Sequence, residues 1–510
     1  MLQRLPFEVE LEIIEYVDVR DIISLQLACK SLYNLIEGHS KLIWRRCLKR
    51  QCVENGLFWP TYKDLSTAAE YKHASILPIL SSRAYQSATK KGKEIPHTVT
   101  KLAFPPDHSL AALEDIYLVP GGRYLLTFEK GWMAVWDLNP PGEQLKPKEM
   151  MHHWVGPFDN LVCINMVDNG KLHVVLSFTG EEQPVTSSDS TIFVCISTYE
   201  FFEIEVSDEG AFEVRSLSRF CIVHLGEEFV NVYTVLGGKV TFHVNGKDFD
   251  TTLVWDYVRN GYAGWKLGGI TDICEVFSSD DHIFYINEEG LHAAKIPPLK
   301  PNDIGGVLLR VLAQDVLVPT SFYSYGVKYD IASAEQVIGG DLRWGILEDE
   351  PLIFQIKEHI DGMLRIHRYQ FKFDATDDQK SSLKLLETSE CNMTEYKNLA
   401  SRPYQVCDNR LAMIWAEEVA EFDWHVSQLF LSLSSPVVDG PAAAVELEKR
   451  ERKELRLIPF GAHIELAKSA HAYEFCAATG KAAILWSSED PDTGLVAETW
   501  INYYDFLASP

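Results

Sequence analysis

No pair of cysteines in this 510-residue chain stands in a CxxC spacing, although ten cysteines run from Cys29 to Cys476. That excludes the usual zinc ribbon and redox dithiol and argues for reduced thiols rather than a disulfide framework. The Asn392–Thr394 sequon is accordingly read as chance. No run of about 18 apolar residues is present, which predicts no membrane helix. The first ten residues carry acids and no apolar signal core, which argues against secretion and for a cytoplasmic or nuclear protein.

Catalytic signatures are missing as well. There is no P-loop, since Gly480-Lys481 lacks both the upstream glycine and the following hydroxyl. No GxSxG elbow, HExxH, GxGxxG or kinase-type set occurs. His152-His153 lies between Met and Trp with no carboxylate or cysteine at ligand spacing, so it reads as a solvated pair in a loop. The densest acid–histidine stretch is Glu417, Glu418, Glu421, Asp423 and His425, and strand alternation would split it between two faces. These absences predict a non-catalytic chain with no cofactor and no metal.

Charge of one sign is scarce in the body. Residues 1–100 hold 14 Lys/Arg against 11 Asp/Glu, a net of +3, and the remainder holds 33 against 62, a net of −29, so that the whole chain carries −26. An acidic surface repels phosphate backbones, which excludes nucleic acid as the expected partner. The acidity serves solubility first and favours a basic protein partner second. Apolar residues at 46% indicate a folded chain, and the length implies two or more domains.

What is present begins at Leu5-Pro6. Pro6 suits the first turn of a helix, and Phe7, Leu11 and Ile14 recur at helical spacing with Glu8, Glu12 and Glu15 turned away. Asp18 and Asp21 supply a cap and a favourable dipole contact for a second helix carrying Ile22, Leu25 and Cys29. Ser31 restarts a third through Leu32, Leu35 and Ile36 to Gly38, and Ser40 caps a fourth with Leu42, Ile43, Trp44 and Cys47. Helices this short with two apolar sides need either a partner or a tight join to the next part of the chain.

These residues resemble an F-box: Leu5-Pro6, Glu8, Leu11 with Ile14, Asp21-Ile22 with Leu25, Ala28-Cys29-Lys30, Leu32-Tyr33 and a late Trp44. The resemblance covers about a tenth of the chain. It implies docking on a Skp-type adaptor of a cullin–RING ubiquitin ligase. The adaptor-binding or motif-core set it implies is Leu5, Pro6, Leu11, Ile14, Ile22, Leu25, Cys29, Leu32 and Trp44. Leu5-Pro6 and the Leu25–Cys29 side are the expected contacts.

The chain divides into four segments. Residues 1–46 are the F-box. Residues 47–80 form a helical collar with Leu48, Cys52, Tyr62, Leu65, Ala69 and Tyr71 inward and a break at Trp59-Pro60. Residues 81–101 are polar, basic and aperiodic, which predicts a linker. From 102 to 510 strands and turns take over.

The span 119–138 holds a Gly-Gly turn, an apolar strand, a Lys130-Gly131 turn and a strand ending Trp136-Asp137, and it resembles half of a WD-type propeller blade. Related hairpins lie at 166–178 with 191–198, 232–258, 277–296, 346–371, 406–433 and 475–507, the one at 232–258 repeating the dipeptide as Trp255-Asp256. Their spacing of roughly 42 to 70 residues exceeds the 40–50 of regular arrays, with the excess placed in polar inserts 374–401 and 434–456.

The expected fold class is therefore α plus all-β: a helical F-box and collar followed by a divergent propeller of about seven blades. Six or eight blades and a two-sheet sandwich pair remain rivals. The expected function is that of a substrate-recognition subunit of an SCF-type ligase, which holds a protein target of unknown identity and binding site. The alternatives are a scaffold or sensor acting without degradation, and a propeller with ligand binding or hydrolase activity.

Overall fold

A computed structural model describes residues 16–105 without a break. From 113 to 507 it describes all but short stretches, the longest being 139–145, 309–315, 339–351, 434–452 and 460–467, and near the N-terminus it describes residues 9 and 12–14. Four helices open the described chain: α1 (Val19–Ala28), α2 (Lys30–Gly38), α3 (Ser40–Glu54) and α4 (Ala68–Lys91). Asp18 caps α1 as its position predicts, accepting from the Arg20 backbone N–H at 2.8 Å. Ser40 is not a cap, because His39 holds that position and no side chain bonds the freed N–H groups. Thr67 and Glu70 form a reciprocal capping box at the start of α4, and Gly92 closes it at φ +58° in the left-handed region.

Residues 81–101 are not a linker. Residues 81–91 are the second half of α4, with Ser81, Ser82, Tyr85 and Ala88 buried. After the Gly92 turn, Thr98–Lys101 is a strand that pairs antiparallel with the C-terminal strand Val496–Asp505, Thr98 opposite Asp505. The helix was unreadable because its buried stripe is built of Ser, Ala and Tyr instead of large aliphatic residues.

Among the described residues the body forms six hydrogen-bonded sheets. The largest, of nine strands, is joined in its middle by a single residue pair, Val426 with Ala470, and divides there into two. The described strands then sort into seven groups in chain order, the last completed by Thr98–Lys101 from before the first. The described parts of the expected hairpins lie in different groups. One expected insert does not hold, since residues 374–401 contain the strand Ser382–Asn392, fourth of the fifth group.

The first strands of neighbouring groups touch one another, as Leu113–Leu118 does with Lys468–Cys476 and Phe229–Leu236 with Glu275–Ser279, which places them innermost. Apolar clusters fill the gaps between successive groups. Phe128, Met133 and Val135 pack on Leu172, Phe202 and Ile204, and Val175, Phe201 and Phe220 pack on Phe242, Leu253 and Trp255. Trp265 packs on Ile283 and Tyr285, and Phe284 and Leu291 on Phe354 and Phe371. Groups five and six meet where the Lys357 ammonium lies 5.4 Å from the Trp415 ring centre. Ile116 and Trp136 of the first group share a cluster with Cys476 and Leu485 of the seventh. Twisted sheets packed face to face in a closed succession make a β-propeller.

A long connection in group four runs back along the rim. Lys300–Pro301 and Val316–Leu317 pair with the outer strand Gly261–Leu267, and Val307–Leu308 pairs with the outer strand Phe212–Leu225. Covering outer edges in this way removes open pairing positions. Among the described residues no helix is long and apolar enough to cross a membrane.

The join between helices and ring is testable at Tyr85, which is fully buried, donates to the Ala477 carbonyl at 2.9 Å and packs on Phe475. Tyr85→Ala is expected to cost about 3–5 kcal/mol and Tyr85→Phe only about 1 kcal/mol, read from denaturant unfolding of the full chain.

Candidate functional site

The helical module and the ring share one core. Ile14, Val19, Ile22, Ile36, Ile43 and Trp44 belong to the same apolar cluster as Leu48, Tyr71, Ile79, Leu118 and Leu485. The buried stripe of α1 is Val19, Ile22 and Gln26, rotated from the Ile22–Leu25–Cys29 stripe expected from apolarity. Gln26 can be buried because Glu37 accepts from its amide at 2.9 Å and Lys72 donates to it at 3.3 Å. Trp44 is 1% exposed, with the Lys72 ammonium 5.1 Å from its ring centre and the Ser75 hydroxyl 3.4 Å from its carbonyl.

The anticipated adaptor set therefore separates. Leu5, Pro6 and Leu11 lie outside the described residues. Ile14, Ile22 and Trp44 are core and present no contact surface. Leu25 and Leu32 are half-buried, while Cys29 is exposed at the extended corner between α1 and α2. The apolar residues left in solvent are others: Tyr16 and Leu27, each 82% exposed, with Ile13, Tyr33 and Leu42 less so. Rotation of the α1 stripe is what turns Leu27 outward, and nothing in the residue pattern distinguished it from Ile23 or Leu25.

The helices dock on one end of the propeller. They meet the turn between first and second strands in four successive groups. In group six the Asp408 N–H donates to Asn55 Oδ1 at 2.9 Å, and its carboxylate pairs with Arg20. Burial raises the Asp408 pKa above the usual carboxylate value, with Arg20 opposing. In group seven the Ser81 hydroxyl donates to Ala478 O at 3.2 Å.

In group one Phe58 N–H donates to Pro120 O at 2.9 Å, and Arg123 bridges Asp64 at 2.6 Å and Asp137 at 2.8 Å. Burial opposes the Arg123 charge, but these carboxylates outweigh it and raise its pKa. In group two, the space where Gly170 would carry a Cβ is filled by Pro60, 2.4 Å away. Buried thiols line this joint. Desolvation pushes Cys47 up to about 11 and raises Cys52 and Cys407 further, so none is a thiolate at neutral pH.

Because strands alternate in direction, the turn between the second and third strands of group one lies at the opposite end. There, in group one, Trp132 and Trp154 stand side by side across adjacent strands with ring centres 5.0 Å apart, 38% and 53% exposed. His152 and His153 are not in a loop but in the strand Lys148–Trp154, where alternation sends them to opposite faces. The other body tryptophans with described side chains, Trp136, Trp255, Trp265, Trp415, Trp486 and Trp500, are buried. Among the described residues no three His, Cys, Asp or Glu side chains are grouped to hold a metal.

A family model of F-box-like domains matches residues 2–50. The chain opens on an F-box-like domain. Helices α1 and α2 and the part of α3 up to Arg50 fall within that match, and the F-box-like domain and the propeller are continuous through one core. A comparison with curated proteins returns no match. Solved structures similar to the chain include the WD40 domain of SCAP from fission yeast, at 10% identity over 77% of this chain and 82% of that one, TM-score 0.33. Hsv2 of Kluyveromyces lactis is similar at 8% identity over 77% and 98%, TM-score 0.34. The Nup133 β-propeller domain of Vanderwaltozyma polyspora is similar at 7% over 80% and 97%, TM-score 0.31. The propeller assignment rests on the sheet order and inter-sheet packing described above.

Trp44→Ala is expected to destabilise the full chain by about 3–5 kcal/mol. Tyr16→Ala and Leu27→Ala should each stay within about 0.5 kcal/mol of wild type, compared by urea denaturation.

Proposed function

We propose that this chain is the substrate-recognition subunit of an SCF-type cullin–RING ubiquitin ligase. The F-box-like domain docks on a Skp-type adaptor, and a seven-bladed propeller holds a protein target. The observation that carries the reading is the F-box-like match at residues 2–50 on helices that keep Tyr16 and Leu27 in solvent. Exposed aromatic and aliphatic side chains beside a fully packed core are the kind of surface that a protein partner covers. The adaptor contact is assigned to this exposed set together with Leu5, Pro6, Leu25, Cys29 and Leu32, while Ile14, Ile22 and Trp44 act through the fold.

The chain's own contribution is proximity and not bond making. It holds the target so that a lysine reaches the charged conjugating enzyme carried by the other subunits. A tight join suits that task, since α4 packs on the seventh group and leads through the Gly92 turn to the ring-closing strand. The end of the propeller opposite the helices is the end assigned to the target. The acidic body favours a basic protein target, and the protein is assigned to the cytoplasm or nucleus.

Removing residues 1–45 would strip Trp44 from the shared core, so point substitutions are the sound test. Tyr16→Lys with Leu27→Lys is expected to abolish co-purification of the Skp-type adaptor with the melting temperature unchanged. Leu5→Ala with Pro6→Ala should do the same. Full adaptor recovery with both double variants overturns the docking assignment. Loss of adaptor without a rise in the abundance of co-purifying proteins in cells favours a scaffold that acts without degradation.

A further inference from the structure

The opposite end of the propeller carries one exposed aromatic corner that the packing of the chain does not require. Trp132 starts the third strand of group one, paired with Glu129 on the second strand and with Trp154 on the fourth. Cross-strand partners share a face, so Glu129, Trp132 and Trp154 form one row. His152, two residues before Trp154, is on the same face with its ring centre 4.5 Å from that of Trp132. The two indoles meet at 67°, edge towards face, and both stay substantially exposed to solvent.

The corner is built on Gly131, at φ +82°. A Cβ there would stand 2.3 Å from the Trp154 ring, so only glycine lets the indole lie against the turn.

Elsewhere the chain supplies its own cations to aromatic rings. Lys49 lies 5.2 Å from the centre of Trp59, Lys72 5.1 Å from Trp44, and Lys101 5.1 Å from Trp500. Among the described residues no cation stands over Trp132 or Trp154, and no basic side chain pairs with Glu129. Lys130, in the same turn, interacts electrostatically with Glu114, which also feels Asp159. Electron-rich ring faces, an unpaired carboxylate in the same row and a body of net charge −29 converge on one ligand chemistry.

We propose that Trp132, Trp154 and Glu129 form a binding site for the cationic side chain, lysine or arginine, of a basic protein segment. The ammonium or guanidinium packs on the indoles while the Glu129 carboxylate accepts its hydrogen bonds. The site belongs to the chain itself and stands whether or not the F-box-like domain engages an adaptor.

The test uses the full-length chain without adaptor and the peptide acetyl-(Gly-Ser-Lys)4-amide, with acetyl-(Gly-Ser-Gln)4-amide as the neutral control. Calorimetry is expected to show binding of the lysine peptide alone. Trp132→Phe and Trp154→Phe should weaken it less than Trp132→Ala and Trp154→Ala, and the alanine variants should raise Kd by about five- to thirtyfold. Glu129→Gln should also weaken it. In the 5-fluorotryptophan-labelled wild-type chain, which carries no substitution that could misfold, the two 19F resonances assigned through the phenylalanine variants should move on titration. Equal affinity of wild type and alanine variants, or 19F shifts confined to other tryptophans, would show general attraction to an acidic surface and overturn the proposal.

Discussion

A four-residue strand holds this molecule together. Thr98–Lys101 supplies the outer strand of the last sheet group, so the propeller closes only when a segment from before its first strand pairs with its C-terminus. That segment is delivered by α4, whose buried face of Ser81, Ser82, Tyr85 and Ala88 lies on the turns of the seventh group. Backbone hydrogen bonds and apolar burial therefore act on the same few residues, and helices and ring cannot be separated at a flexible hinge.

The consequences reach both ends of the propeller. At the helical end, four successive turns are tied down by Asn55, Ser81, Phe58 and Pro60, and Arg20 and Asp64 add ion pairs there. At the other end Trp132 and Trp154, beside the second-to-third turn of group one, remain in solvent. This polarity gives a physical basis for two separate contacts: one on Tyr16, in the turn before α1, with Leu27 on α1, another on the Trp132–Trp154 corner. The shared core couples their geometry without coupling their chemistry.

Element types were legible where periodicity was strong. The helix capped by Asp18, the Gly-Gly hairpins and the Trp-Asp dipeptides could each be placed from residue pattern alone, because caps, left-handed turns and strand alternation are local effects. The segment 81–101 was not legible. A helix face of serine and alanine has no apolar signature, and it becomes a buried face only because the seventh group lies against it. The fourth strand Ser382–Asn392 was hidden for a similar reason, since its partly exposed outer position lets polar residues in. The same limit applies to the site. Residue type marked Ile22 and Trp44 as important, and they are, but as core. Whether an apolar residue holds the fold or waits for a partner depends on the rotation of α1, which Gln26 sets through Glu37 and Lys72.

What the sequence determined by itself was the class of module at each end: an F-box-like opening, a body of repeated hairpins, and a strong excess of acid in that body. These arise from interactions spanning a few residues and from composition. Tertiary structure alone decided which side chains remain available, Tyr16 and Leu27 at one end and Trp132 with Trp154 at the other. The physical reason is that exposure is a property of what packs nearby, and in this chain the packing partners lie as far apart as Tyr85 and Ala477.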